Sequence, residues 1–216
     1  MGIISRFPAG ATKPYIEETY NSNGRLIDAK MYGHEAIRDY SFYSCTYLAS
    51  TSLPSGITRI GRNAFYFCSS LALTSLPSGI TSIGSYAFAN CSSLALTSLP
   101  SGITSIGSYA FEGCSSLALT SLPSGITSID NSTFSFCSNL ALTSLPSGIT
   151  SIGNSAFEGC LSLVSLTFEG TPKDIKNSAF VDCDNLTTIN VPWAEGAVAN
   201  APWGATNATI NYGHTG

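Results

Sequence analysis

Cysteine is distributed along this chain at one fixed interval. All seven cysteines lie 23 residues apart, from Cys45 to Cys183, and none falls outside the series. A constant period between roughly 20 and 50 residues is typical of a solenoid, in which each repeat is one supersecondary unit stacked on its neighbours. The period therefore predicts one elongated repeat domain, which grows by adding units and does not need to divide.

Three apolar columns accompany the cysteines at the same interval. Phenylalanine precedes each cysteine by three positions, isoleucine precedes it by eight, and leucine follows it by three. A side chain that returns at one position of every unit faces its counterpart in the next coil, so these columns predict the core. We expect the cysteines to be free thiols that pack among them as small buried apolar groups.

Disulfide and metal interpretations of the cysteines are less favoured. Their number is odd, and the coils of a parallel solenoid stack about 4.8 Å apart with parallel Cβ vectors, which does not suit a disulfide. A straight file of thiols with no histidine nearby does not place four zinc ligands around one point. The sequence therefore predicts no metal site and no cofactor.

The secondary structure of one unit follows from residues 71–91. Residues 71–76 alternate apolar and polar side chains and predict a short strand, and the Pro-Ser-Gly at 77–79 predicts a turn. A second extended piece follows at 80–83. Residues 85–91, which begin with serine, predict one helical or 3₁₀ turn. The fold class is thus an α/β repeat of short parallel strands and short helical or 3₁₀ turns.

The two ends differ from the repeats and predict caps. An Asn-Gly at positions 23–24 lies between two extended segments and predicts a β-hairpin. The last segment holds both tryptophans and predicts a short helical piece and a closing strand over the last coil. The predicted organisation is an N-terminal segment and hairpin cap over 1–36, seven repeats over 37–192, and a C-terminal cap over 193–216.

Charge and hydropathy exclude two classes of partner. Charged residues make up 10% of the chain, the net charge is −4, and no lysine or arginine lies between positions 63 and 172. Nucleic-acid binding needs a clustered basic surface, so we expect no nucleic-acid partner. No apolar run approaches the roughly 18 to 20 residues of a membrane span, so we expect no membrane insertion.

The first eight residues contain too short an apolar stretch for a signal peptide. Three alternatives follow: the protein stays inside the cell, a signal has been removed, or export uses another route.

The motif of each unit resembles a known repeat family. Residues 83–94 have the pattern Ile-Gly-x-x-Ala-Phe-x-x-Cys-x-x-Leu, and Leu-Pro follows at 99–100. This pattern resembles the bacterial leucine-rich repeats of the BspA-like family over residues 37–192. The resemblance implies a right-handed leucine-rich-repeat solenoid and a protein that is often a cell-surface adhesin or binding protein, with no catalytic residues to carry over. The central units depart from the family in one respect, because Leu-Ala-Leu-Thr-Ser-Leu-Pro moves one apolar residue and leaves the strand register open.

The repeats differ from one another mainly beside the cysteines. Segments 69–88 and 92–111 are identical, whereas the two positions before each cysteine change from unit to unit. Exposed aromatic residues are favoured anchors at interfaces, so the aromatic residues near this edge predict a binding stripe. The alternative is surface variation without function, in which the rings lie over the backbone. The candidate binding residues are Tyr43, Tyr47, Tyr66, Phe67, Tyr86, Tyr109 and Phe136.

Catalytic patterns are missing from the sequence. Both histidines lie outside the repeats, acids between positions 40 and 160 are limited to Glu112, Asp130 and Glu158, and no nucleophile, metalloprotease or phosphate-loop motif occurs. We therefore predict a protein that is not an enzyme. The first hypothesis is a recognition or adhesion module, extracellular or on the cell surface, that binds protein or glycan through one face. The alternative is a structural spacer or a virion-associated component of a phage, located in the virion or the cytoplasm.

Overall fold

The chain winds into a solenoid of short parallel strands, as the period predicts. The computed structural model describes residues 2–5 and 15–214. Neighbouring coils pair in register at the 23-residue period, so that Ser82 lies opposite Ser105 and Ile83 lies opposite Ile106. Each coil therefore repeats the backbone positions of the coil before it.

An antiparallel sheet precedes the solenoid. It contains β1 (Gly2–Ser5), β2 (Tyr15–Tyr20) and β3 (Leu26–Tyr32), in the order β1-β2-β3. The turn between β2 and β3 is closed by a hydrogen bond from the Gly24 amide to the Asn21 carbonyl, at 3.0 Å. Gly24 has a φ of 71°, which explains why glycine follows asparagine there. The sequence did not indicate β1, and the interpretation of the first eight residues as too short for a signal peptide falls partly on residues 1 and 6–8, outside the described residues.

The coils pair along two files. One file forms the sheets β4-β5-β6-β7 and β8-β10-β12, and the other forms the sheet β9-β11-β13-β14. Their bounds are β4 (Ala36–Ile37), β5 (Arg59–Ile60), β6 (Ser82–Ile83), β7 (Ser105–Ile106), β8 (Ser128–Ile129), β9 (Ser144–Leu145), β10 (Ser151–Ile152), β11 (Ser165–Phe168), β12 (Asp174–Ile175), β13 (Thr188–Asn190) and β14 (Thr209–Asn211).

The second file is a regular sheet only in the C-terminal half, so the predicted strand at 71–76 is wrong. Leu71, Leu73 and Leu76 are all buried, which breaks the alternation of a strand between the second and the third leucine. In β11, by contrast, Leu166 and Phe168 are buried two positions apart, as a strand requires. In the coils at 71–76, 94–99 and 117–122, which share this leucine spacing, no strand forms in this file, whereas the equivalent coil at 140–145 contributes only the two-residue β9.

The predicted helical or 3₁₀ turn is not confirmed, because residues 2–5 and 15–214 contain no helix of either kind. The amides of Tyr86, Phe88 and Asn90 donate to carbonyls of the next coil at 2.6–3.0 Å. The amide that directly follows each of these three residues donates instead to the carbonyl three positions before it. In a helix, the amides after the first turn all donate within their own segment, whereas here alternate amides link one coil to the next. The segment is a chain of tight turns.

The core consists of the columns that the sequence predicts. Consecutive phenylalanine rings stack from Phe42 to Phe180, with ring centroids 5.1–5.7 Å apart. The seven phenylalanines of this column are at most 2% exposed, and the isoleucine and leucine columns are buried with them. The hydrogen bonds of the alternate turn amides and the stacking of the rings are therefore both directed along the solenoid axis.

The residues after β13 continue the coil pattern over the end of the core. β14 pairs in parallel with β13, and the amide of Phe180 donates to the Trp203 carbonyl at 2.9 Å, as the amide of Phe157 donates to Ala179 in the coil before. The Trp203 side chain is fully buried and its indole contacts Trp193, with ring centroids 6.3 Å apart. These residues occupy the place of a further, partial coil.

Candidate functional site

Two positions of the repeat hold the backbone in the left-handed region. They lie five residues and one residue before the cysteine, and their φ values range from 51° to 68°. The residues are Tyr40, Asn63, Tyr86, Tyr109, Ser132 and Ser155 at the first position, and Ser44, Phe67, Asn90, Gly113, Phe136, Gly159 and Asp182 at the second. Glycine and asparagine suit such a backbone, whereas an aromatic residue there costs roughly 1 to 2 kcal/mol. Aromatic rings at these positions are therefore a poor choice for stability.

The rings at and beside these positions form one connected surface, which we call the aromatic face. Tyr43 stacks on Tyr66 with centroids 5.0 Å apart, and Tyr86 stacks on Tyr109 at 4.5 Å and an interplanar angle of 2°. An edge contact of 6.2 Å between Tyr66 and Tyr86 joins the two pairs. Tyr40 contacts Tyr43, and Phe67 contacts Tyr66. The aromatic face consists of Tyr40, Tyr43, Tyr66, Phe67, Tyr86 and Tyr109.

The aromatic face contains five of the seven candidate residues and one residue that sequence reasoning missed. Tyr40 is 54% exposed and extends the face at its N-terminal end. A signal for it was present in the sequence, because Tyr40 precedes Cys45 by the same five positions that separate Tyr86 and Tyr109 from their cysteines.

The structure places the other two candidates elsewhere. The guanidinium of Arg25 lies 4.3 Å from the centroid of the Tyr47 ring, and its Nη1 donates to the Tyr47 hydroxyl. Tyr47 therefore joins the hairpin to the first coil. The Phe136 ring lies across Gly159, where a Cβ would fall 2.7 Å from Phe136 Cδ1. Phe136 is 51% exposed and makes no ring contact with the aromatic residues of 16–214.

Charge on this side of the solenoid is mostly negative. Burial raises the pKa of the Glu112 carboxyl above its usual range, and the nearby negative charge of Glu158 raises it further. Burial also raises the pKa of Tyr86, as do its neighbours Tyr109 and Glu112, while Arg62 lowers it. Within residues 15–214 the single ion pair between side chains joins Lys176 to Asp174, at 2.7 Å. Glu112 and Glu158 thus lie near each other without a basic partner.

The cysteines are free thiols, and the repeated ones make a contact that the sequence did not suggest. From Cys68 to Cys183, each Sγ donates to the carbonyl of the phenylalanine 26 residues earlier, at 2.9–3.1 Å. Each thiol therefore links two coils and is more than an apolar filler. Burial raises the pKa of Cys114 and Cys137 well above the usual range, and that of Cys68 to about 12. Nucleophilic attack requires the thiolate, and burial disfavours its formation at these side chains.

Thiol labelling should therefore distinguish one cysteine from the others. Cys45 is partly exposed, whereas the other six cysteines are buried. Burial and the charge of Glu18 raise the pKa of Cys45 as well, so its accessibility is what distinguishes it. At about pH 8 we expect an aromatic disulfide reagent to modify Cys45 in the folded protein and all the cysteines after denaturation. Absorbance measures the released thiolate. Cys45→Ser should abolish the reaction of the folded protein. Fast modification of a second cysteine would contradict the burial of the other six thiols.

Other kinds of site are not indicated in the described part of the chain. No three histidine, cysteine or acidic side chains there are arranged to hold a metal ion. No helix in it is long and apolar enough to cross a membrane. The aromatic face is thus the surface with the clearest features for recognition.

Comparisons with known proteins agree with the repeat and its geometry. The model of the BspA type leucine-rich repeat region matches six copies, over residues 35–144 and 117–196. The crystal structure of a T. pallidum leucine-rich repeat protein is similar, with 27% identity and a TM-score of 0.57, over 86% of this chain and 84% of that one. None of the curated proteins matches the chain.

Two further solved structures match with lower TM-scores. A leucine-rich repeat protein from Bacteroides ovatus has 19% identity and a TM-score of 0.44, over 97% of this chain and 75% of that one. A leucine-rich cell surface protein from Faecalibacterium prausnitzii has 19% identity and a TM-score of 0.32, over 98% and 95%. The family match covers most of the chain, so this protein belongs to the BspA-type leucine-rich repeat family.

Proposed function

We propose that this protein is a non-catalytic recognition module that binds a protein or glycan ligand through the aromatic face. The observation that carries the proposal is the connected array of six rings, placed partly at backbone positions that suit glycine. Rings that cost stability and leave Tyr40, Tyr43 and Phe67 more than 40% exposed are better explained by a ligand than by packing.

The family and the chemistry of the rings support this proposal. Leucine-rich repeat proteins of this family typically mediate protein interaction or adhesion, and the family and its fold are generally not enzymatic. Tyrosine combines a large apolar ring with a hydroxyl, which makes it a favoured anchor at interfaces. The proposal includes an extracellular or cell-surface location, which the family resemblance implies.

A spacer is the second candidate function, and one observation favours it. Segments 69–88 and 92–111 are identical, so neighbouring coils offer nearly the same surface along their strand side. A spacer would need length and no ligand, whereas a recognition module needs the rings beside the cysteines.

A double substitution separates the two functions. Tyr66→Ala with Phe67→Asn removes the centre of the aromatic face, and asparagine fits the backbone because Asn90 occupies the equivalent position in the next coil. Wild-type protein and variant would be tested against a panel of immobilised extracellular-matrix proteins, serum proteins and glycans by surface plasmon resonance. We expect a ligand whose affinity falls by about thirtyfold or more in the variant, because central aromatic anchors carry most of the binding energy.

The matched control removes exposed apolar side chains elsewhere. Leu161→Ala with Val164→Ala changes residues that are 44% and 57% exposed, and we expect unchanged binding. Equal binding of the wild-type protein and the Tyr66/Phe67 variant to every member of the panel would remove the aromatic face as the binding site. Absence of binding by the wild-type protein to every member of the panel would favour the spacer.

A further inference from the structure

The turn of the N-terminal hairpin contains the single Asn-Gly pair of the sequence. Asn23 and Gly24 lie between β2 and β3, and both are exposed. A Cβ added at Gly24 would meet no atom within 4 Å beyond its chain neighbours, so the space around this residue is open. Glycine also has no side chain to shield its own backbone nitrogen. The backbone nitrogen of Gly24 is therefore accessible to the side chain of Asn23.

The two asparagines of this turn are held differently. The Asn21 side chain is fixed, because its Oδ1 accepts the amides of Asn23 and Arg25, each at 3.0 Å. The Asn23 side chain has no hydrogen-bond partner among the described residues 2–5 and 15–214. Asn23 can therefore turn its amide carbon towards the nitrogen of Gly24 without breaking a side-chain contact.

One hydrogen bond restrains the nitrogen of Gly24. Its amide donates to the Asn21 carbonyl at 3.0 Å, within the exposed turn. Local opening of such a turn costs far less free energy than global unfolding. Once the bond opens and a hydroxide ion of the solvent takes the amide proton, the nitrogen can attack Cγ of Asn23.

Water is the co-reactant of this conversion. The Gly24 nitrogen forms a bond to Cγ of Asn23, the bond between Cγ and Nδ2 breaks, and Nδ2 leaves as ammonia with protons from the solvent. The product is a cyclic succinimide. Water then hydrolyses one of the two ring bonds to nitrogen: cleavage at Cγ gives aspartate, and cleavage at the backbone carbonyl carbon gives isoaspartate. One water is consumed and one ammonia is released, without oxidation or reduction.

Isoaspartate changes the turn close to the residue that joins the hairpin to the first coil. The backbone of isoaspartate passes through Cβ and Cγ, so the chain between Asn21 and Arg25 becomes one carbon longer. The Arg25 guanidinium lies 4.3 Å from the centroid of the Tyr47 ring. The new carboxylate, two residues before Arg25, attracts the same guanidinium. Both changes weaken the contact between Arg25 and Tyr47.

The cleft beside this contact contains the partly exposed thiol. Arg25 and Leu26 of the hairpin line the cleft together with residues 44–47 of the first coil, which include Cys45. We propose that Asn23 is a site of spontaneous conversion to isoaspartate and aspartate, and that this conversion loosens the hairpin and uncovers Cys45. The conversion needs no ligand, so it goes beyond the recognition proposed for the aromatic face.

Ageing of the intact protein tests the chemical step. The protein is kept for several days in warm, mildly alkaline buffer with a reducing agent, and peptide mapping by mass spectrometry measures asparagine, aspartate and isoaspartate at each position. Asn177 is the internal reference, because it is exposed, has no side-chain hydrogen bond among the described residues and precedes Ser178. We expect Asn23 to react about tenfold or more faster than Asn177, since a serine side chain shields the following nitrogen and glycine does not. Conversion of Asn23 at the rate of Asn177 or below would overturn the proposal.

Thiol labelling of the folded protein, after removal of the reducing agent, tests the loosening of the hairpin. Aged wild-type protein should react at Cys45 about threefold or more faster than fresh protein, because the thiol becomes more accessible. Asn23→Ser cannot form the succinimide, so its labelling rate should not change with age. Asn177→Ser is the matched control and should age like the wild type. Isoaspartate at position 23 with an unchanged labelling rate, or equal acceleration in aged Asn23→Ser, would refute the link between Asn23 and the hairpin.

Discussion

Replacing Phe111 with alanine is expected to lower the free energy of unfolding by about 3 to 5 kcal/mol, the usual cost of removing a buried aromatic ring. Phe111 is fully buried and stacks between Phe88 and Phe134, with ring centroids 5.5 and 5.6 Å away. The turn amides hold the spacing of the coils, so the neighbouring rings have little freedom to close the cavity. The position lies in the middle of the array, where each coil depends on both neighbours.

Urea denaturation followed by two probes measures this effect. Both tryptophans lie at the C-terminal end, whereas most tyrosines lie in the N-terminal half, so their fluorescence reports on different parts of the array. The wild-type protein should show coincident transitions, and Phe111→Ala should shift both to lower urea. Val164→Ala, at a side chain that is 57% exposed, is the control and should change stability by less than about 0.5 kcal/mol. A midpoint equal to that of the wild type would refute the stacked core.

Trp203→Ala is the second substitution with a large expected effect, also about 3 to 5 kcal/mol. The side chain is fully buried, and its Nε1 donates to the Ala199 carbonyl at 2.7 Å. The centroid of its ring also lies 6.1 Å from that of Phe168 in β11. Without the ring, the end of the core faces solvent. Repeat proteins need such terminal covering for solubility, so the variant should also aggregate.

Two measurements check this second prediction: denaturation monitored by circular dichroism, and static light scattering of the folded protein. Trp203→Phe is the matched control, because it keeps most of the apolar ring and removes the indole donor. We expect Trp203→Phe to lose less than half as much stability as the alanine variant and to stay monodisperse. A soluble Trp203→Ala variant with wild-type stability would show that residues after β13 are not needed to cover the core.

The parts of the fold that follow from repetition could be predicted from the sequence. The phenylalanine, isoleucine and leucine columns are buried as expected, because a residue repeated at one position must meet its copy in the next coil. The parts that depend on which carbonyl each backbone amide reaches could not be predicted. Serine at position 85 and the spacing of Ala87, Phe88 and Cys91 suit a helical turn, yet alternate amides there bond to the neighbouring coil. Local helix propensity takes no account of carbonyl acceptors in the neighbouring coil.

The candidate site could likewise be predicted only in part from the sequence. Aromatic residues beside the cysteines indicated a surface, and five of the seven lie in the aromatic face. Tyr47 differs because its partner Arg25 comes from the hairpin, a contact with no periodic signal. Phe136 differs because the small residue beyond it is Gly159, over which its ring folds. The contact of Tyr47 with the hairpin lies outside the repeats and therefore requires the structure, whereas Gly159 lies one repeat period after Phe136.

The amides that link each coil to the next have a consequence for how this protein can evolve. They fix the backbone of the variable positions regardless of the side chain, since tyrosine, asparagine and serine share one left-handed conformation in successive coils. Duplication of one coil lengthens the molecule by about 4.8 Å without disturbing its neighbours. A point mutation at a variable position changes the surface without changing the length. Reach and specificity can therefore be selected independently in a protein of this design.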